Sequence, residues 1–134
     1  MKKILMFTGL IMLLLTLNAT AQQDKLAIKK GMIKVTILYP SGENKKFDMD
    51  YYLSKHIPLV KSLFAGDLRW TAIDKGIAGG APGAPAPYML ICYLYFDTVS
   101  AFQNAMKANG SKIQADIPNF TNIHPVIQIS EVVQ

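Results

Sequence analysis

Three features of the chain predict an α+β domain in the order strand, helix, strand, strand, helix, strand. Apolar runs of strand length flank an amphipathic helical stretch. A glycine- and proline-rich loop separates two central strands, and a capped helix precedes a last apolar run.

Ile33 to Tyr39 sets Ile33, Val35, Ile37 and Tyr39 on one face and Lys34, Thr36 and Leu38 on the other, a strand stopped by Pro40-Ser41-Gly42. Phe47 to Leu59 opens a helix started by Asp48 or Asp50 and ended near Ala65-Gly66. At about 100° per residue, Met49, Tyr52, Leu53, Leu59, Val60, Leu63 and Phe64 share one side, with His56 near the middle of the stripe. Pro58 removes a helical donor and leaves the Ser54 carbonyl without its usual partner, so the histidine turn is expected to open. Leu68 to Lys75 is the second strand, residues 76–87 the loop, and Met89 to Phe96 a third strand apolar on both faces. Asp97 or Thr98 caps a helix with Val99, Phe102, Ala105 and Met106 on one face, and Asn109-Gly110 reads as its stop. Ser111 to Ile117 reads as a further short helical piece, and Val126 to Val133 as the last strand.

This is the split-βαβ order of ferredoxin-like domains, whose helices cover one sheet face. The third strand asks for a cover on its second face too, which a second copy of the chain supplies as a homodimer, sheet against sheet. Such a dimer is expected to enclose a cavity for a small apolar ligand.

Ahead of the domain, Lys2 and Lys3 precede an apolar run from Ile4 to Leu17, and Ala19-Thr20-Ala21 offers the small residues of a cleavage site. Residues 1–21 are therefore expected to be a signal peptide, residues 22–31 a flexible tail and residues 32–134 the domain. The product is expected in a periplasm or outside the cell, with no stable membrane anchor, because the apolar run is shorter than the roughly 20 residues a span requires. Lys2 and Lys3 leave with the signal, so the net charge falls from +5 to +3, and the remaining basic residues are scattered. That pattern argues against nucleic-acid binding. The single cysteine, Cys92, lies mid-strand among apolar neighbours and reads as a packing residue; with two histidines it makes no zinc signature.

An imidazole on the inward stripe must find partners or line a cavity where its titration near neutral pH is usable, which makes His56 the first catalytic candidate, as general acid or base. Tyr52, four residues earlier on the same face, joins it. Tyr51, Tyr39, Trp70, Tyr93 and Tyr95 are candidates for binding the ligand, by hydroxyl or ring. His124, before Pro125, reads as a surface histidine that approaches a cavity mouth near Asp116 or Asn119. No glycine-rich turn leads from a strand into a helix as nucleotide cofactors require, so no cofactor is expected; Gly79-Gly80-Ala81-Pro82-Gly83 reads as a lid, a dimer brace or a plain hairpin loop.

Several motifs in combination resemble the EthD family. They are Phe47-Asp48-x-Asp50-Tyr51-Tyr52-x-x-x-His56-x-Pro58-Leu59, the loop from Gly79 to Pro87-Tyr88, Leu94-Tyr95-Phe96-Asp97, and Asp116-Ile117-Pro118-Asn119-Phe120-Thr121 with Gln128-Ile129-Ser130. The resemblance implies a dimeric α+β barrel of ferredoxin-like subunits. It also implies an EthD-type reductase or oxidoreductase label, linked to ether degradation and to tailoring of aromatic polyketides, mostly in the cytoplasm, a setting from which the export signal departs. The residues themselves point to cofactor-free acid/base chemistry on a small apolar or aromatic oxygenated molecule; the alternative is a non-catalytic binding or accessory dimer of the same fold.

Overall fold

In the computed structural model, which describes residues 28–134, strand β1 (Ile33–Pro40) turns Ile33, Val35 and Tyr39 into the core and Lys34, Thr36 and Leu38 to the opposite face. The expected signal segment lies outside the described residues. Asp48 caps the next helical stretch, its Oδ1 accepting from the Tyr51 N–H at 2.9 Å. The stretch has three parts: helix α1 (Met49–Tyr51), a π-helical turn (Tyr52–His56) and helix α2 (Ile57–Leu63).

The opening expected at Pro58 takes the form of this π turn, in which the Ile57 N–H donates to the Tyr52 carbonyl five residues back. One extra residue in the turn shifts the phase of everything around it. Leu53, placed inward by uniform spacing, is half exposed, and Ile57 is buried instead.

Strands β2 (Leu68–Lys75) and β3 (Tyr88–Phe96) and helix α3 (Val99–Asp116) follow, then a 3₁₀ turn (Ile117–Asn119) and strand β4 (Val126–Glu131). The sheet order is β2-β3-β1-β4, antiparallel throughout, which is the ferredoxin-like arrangement. Helix α3 starts on Thr98, whose side chain accepts from the Ala101 N–H, and runs on through Asn109-Gly110 rather than stopping there. Two contacts explain the correction. Asn109 Nδ2 donates to the Leu63 carbonyl at 3.0 Å, tying α3 to the end of α2, and Gly110 is buried against Met106. A stop signal inside a packed helix is overridden by the tertiary contacts on both sides of it.

The long loop is ordered by its own backbone. Gly76 bonds the Met89 carbonyl and Gly79 that of Ala84, and a side chain at Gly76 would stand 2.0 Å from the Tyr88 carbonyl oxygen, so only glycine fits. None of residues 76–87 lines the cavity described next.

The core sits between the helices and one face of the sheet. Val35, Tyr39, Leu90, Cys92, Leu94 and Phe96 from the strands meet Tyr52, Val60, Phe64 and Ala105 from the helices. Register places Tyr95, Tyr93 and Ile91 of β3 opposite Lys34, Thr36 and Leu38 on the other face, with Trp70 beside Tyr95. No element of this chain covers that face among the described residues.

Candidate functional site

His56 and Asp116 are 60 residues apart, and the link between the two helical ends explains how they meet. The segment before α1 is zipped to the segment after the 3₁₀ turn. Phe47 pairs with Thr121, the Asp48 N–H donates to the Phe120 carbonyl at 2.7 Å, Thr121 Oγ1 donates to the Lys46 carbonyl, and Asn122 bonds both the Lys46 N–H and the Asn44 carbonyl. This brings the C-terminus of α3 beside the π turn.

There His56 Nδ1 lies 2.8 Å from Asp116 Oδ2. The other carboxylate oxygen, Oδ1, accepts from the Tyr51 hydroxyl at 2.8 Å and from Asn119 Nδ2 at 2.9 Å, and Asn119 also donates to the Tyr51 oxygen. Burial pulls the Asp116 pKa upward, but hydrogen bonds from Asn119, His56 and Tyr51 outweigh it and hold the carboxyl below its ordinary value. Burial likewise wins at His56, lowering its pKa against the opposing pull of Asp116. The two shifts agree on one state near neutral pH: a neutral imidazole whose Nδ1–H donates to a carboxylate. Hydrogen bonding to Asp116 raises the Tyr51 phenol, which stays a donor.

The ring is clamped on both sides. Tyr52 stacks on it at 5.2 Å between centroids and Phe120 meets it at 4.5 Å, while Phe120 also touches Phe47, Tyr39 and Tyr51. His56 is only 4% exposed. Its Nε2 makes no hydrogen bond, yet no fully buried side-chain nitrogen or oxygen among the described residues lacks a partner. Nε2 is therefore the one edge of the ring that opens onto a void.

That void is a cavity of about 320 Å³ between the helices and the sheet, within a single chain. It does not lie between two sheets, as the sequence suggests, because the His56 stripe packs toward its own sheet. Val35, Ile37, Val60, Leu94 and Phe102 give it apolar walls. Gln114, His124 and Ile127 line it and are exposed, so they mark its mouth, where α3 leaves β4 uncovered. A void of this size within an apolar lining suits one small molecule.

Of the residues singled out from sequence, His56, Tyr52 and Tyr39 line this cavity together. Tyr51 stands behind it, holding Asp116. Trp70, Tyr93 and Tyr95 are placed on the far face of the sheet by strand alternation, and the structure does not bring them to His56. His124 does reach the mouth, beside Gln114, whereas Asp116 and Asn119 gather around Tyr51. Sequence reasoning missed Asp116 as the partner of His56. One signal existed: an acidic residue ends α3, where the helix dipole disfavours negative charge, so something else must hold it. Among the described residues no group of three or more metal-ligating side chains occurs, and no helix is long and apolar enough to cross a membrane.

A ferredoxin-like subunit with an internal apolar cavity and a histidine–carboxylate pair at its wall defines the class of protein. Comparison with known proteins narrows it: the EthD domain matches residues 41–124, and the chain belongs to the EthD family. An EthD-like protein from Ralstonia eutropha JMP134 is 42% identical, with a TM-score of 0.75 over 79% of this chain and 96% of that one. An ethyl tert-butyl ether D (EthD) family protein from Bacillus halodurans C-125 is 25% identical, with a TM-score of 0.52 over 75% of this chain and 97% of that one. A dimeric ferredoxin-like protein of unknown function from Thermobifida fusca YX, 16% identical with a TM-score of 0.50 over 79% and 95% of the two chains, shares the fold. No curated protein matches the chain.

Proposed function

We propose that this protein is a cofactor-independent acid/base enzyme acting on a small apolar, oxygenated molecule, with His56 as general base. The observation that carries the reading is the open Nε2. Asp116 takes the Nδ1 proton, which fixes the tautomer and leaves the Nε2 lone pair facing the cavity, and the carboxylate then stabilises the imidazolium formed when a substrate proton is taken. A base of this kind contributes about 10²–10⁴ to a rate. The oxidoreductase label implied by the family resemblance is the other catalytic reading; the geometry favours proton transfer because what it builds is a base.

Two further parts of the reading concern setting. The uncovered sheet face, with Leu38, Trp70, Tyr93 and Tyr95, is proposed to meet its counterpart in a second copy, as the dimeric description of the Thermobifida fusca protein suggests by analogy. The N-terminal segment is proposed to direct export, which sets the activity in a periplasm or outside the cell.

The test is a screen of uncharged cyclic and aromatic ketones, alcohols and phenols for binding and turnover by the wild type and His56→Gln. Turnover is expected to fall at least about 100-fold in the variant with its thermal midpoint retained. Binding without turnover by either protein would replace this reading with the non-catalytic binding module.

A further inference from the structure

The polar groups offered by the cavity are few. No lysine, arginine, aspartate or glutamate side chain lines it. Apart from His56 and the residues at the mouth, the polar groups of its lining are the hydroxyls of Tyr39 and Tyr52 and the thiol of Cys92. The Tyr39 and Tyr52 rings meet edge-on at 5.9 Å, and the Tyr52 ring stacks on His56. The tyrosine pair and the imidazole thus border one space. Burial raises both phenols well above their ordinary value, helped by Cys92 beside each, and burial pushes the Cys92 thiol up to about 11. All three are neutral donors throughout the working range of pH. Elsewhere the lining is apolar, so a hydrogen bond formed inside acts at low dielectric.

One lone-pair acceptor beside neutral donors, with no fixed charge, complements a molecule that has a proton to lose and an oxygen that gains charge as it does so. We propose that the cavity takes an uncharged, enolisable carbonyl compound with an apolar ring body, Tyr52 donating to the carbonyl oxygen, with Tyr39 behind it, while His56 Nε2 takes a proton from the neighbouring carbon. The inference rests on the reading of His56 as a base. In the step, the α C–H bond breaks and its proton goes to Nε2. The electron pair forms the new C=C bond, and the carbonyl π pair moves onto oxygen, giving an enolate held by the tyrosine hydroxyl. The proton then returns from Nε2 to the same carbon or, in an unsaturated substrate, to the far end of the conjugated system, shifting the double bond. No electrons enter or leave. A phenol or simple alcohol needs only the base; an enolisable ketone uses the base and the donors together.

The experiment follows exchange of the benzylic α-protons of β-tetralone in heavy water by proton NMR, with affinity measured separately by calorimetry. Wild type is expected to accelerate exchange over buffer, and Tyr52→Phe to slow it about 10²–10³-fold with affinity for the ketone little changed, the size of effect that loss of one such donor has elsewhere. Tyr39→Phe, expected to act in the same direction and more weakly, is the control for a folding defect at residue 52. Exchange by Tyr52→Phe at the wild-type rate overturns the inference, as does tighter binding of a carboxylated analogue of the same ring. If β-tetralone binds without exchange while other compounds show His56-dependent turnover, the inference falls and the acid/base reading stands. If nothing that binds is turned over, both fall.

Discussion

The two faces of the sheet carry similar residues to different ends. Both present tyrosines and aliphatics, but on the helix side Tyr39 and Tyr52 are sealed into an aromatic cluster around Phe120, whereas Tyr93 and Trp70 on the far side remain partly open, with Trp70 38% exposed. On the covered face a hydroxyl is held neutral by burial and becomes part of a reactive wall. On the uncovered face a ring is free to meet another surface, and Lys34 lies over the Tyr93 ring at 5.6 Å. The chemistry of a residue here is set by which face its position in the alternation selects.

The largest test of this contrast is Phe96→Ala, which empties a fully buried position between Phe64 and Phe102. Urea unfolding is expected to show a loss of about 3–5 kcal/mol. If the loss is below about 1 kcal/mol, the covered face is not the main core.

Next comes Asp116→Asn, which keeps the shape and removes the charge. The value of kcat/KM is expected to fall about 100-fold, roughly 2.7 kcal/mol. The sign of the pH effect follows from the environment. Burial sets His56 below its ordinary 6.5, so activity is lost as pH falls through that lowered value, and Asp116→Asn, by removing the group that pulls the pKa upward, moves the acid limb to lower pH still. The same depression makes the folded chain the poorer proton binder, so His56 subtracts stability as pH drops below 6.5. An acid limb unmoved by the substitution would detach Asp116 from the base.

The smallest effect is expected for Tyr93→Ala on the uncovered face. Within one subunit it costs below about 1 kcal/mol. If that face joins two copies, sedimentation at increasing protein concentration will show weakened association in the variant. Equal sedimentation of the two proteins would leave the face without the partner proposed for it.

Much of the scaffold was legible in the sequence because its signals are local. The limits of β2, the Asp48 and Thr98 caps and the inward alternation of β1 all follow from neighbouring residues. The site was legible only on one side. His56 declares itself by sitting in an apolar stripe, but Asp116 is brought to it by a zipper between residues 44–48 and 120–122, which no spacing rule contains. Asn109-Gly110 misled because what keeps α3 going is the Leu63 carbonyl, 46 residues away. Trp70, Tyr93 and Tyr95 were drawn toward the site because β3 is apolar on both sides, which hides the side that the helices choose.

The widened turn at Tyr52–His56 also bears on how length changes here are tolerated. A helix with one surplus residue is two short rods joined out of step, and deletion of a single residue between Tyr51 and Ile57 would restore uniform winding by rotating one rod about 100° against the other. Tyr52 and His56 would then no longer share a wall. A gap of one position in this stretch, harmless in most surface helices, amounts to dismantling the base.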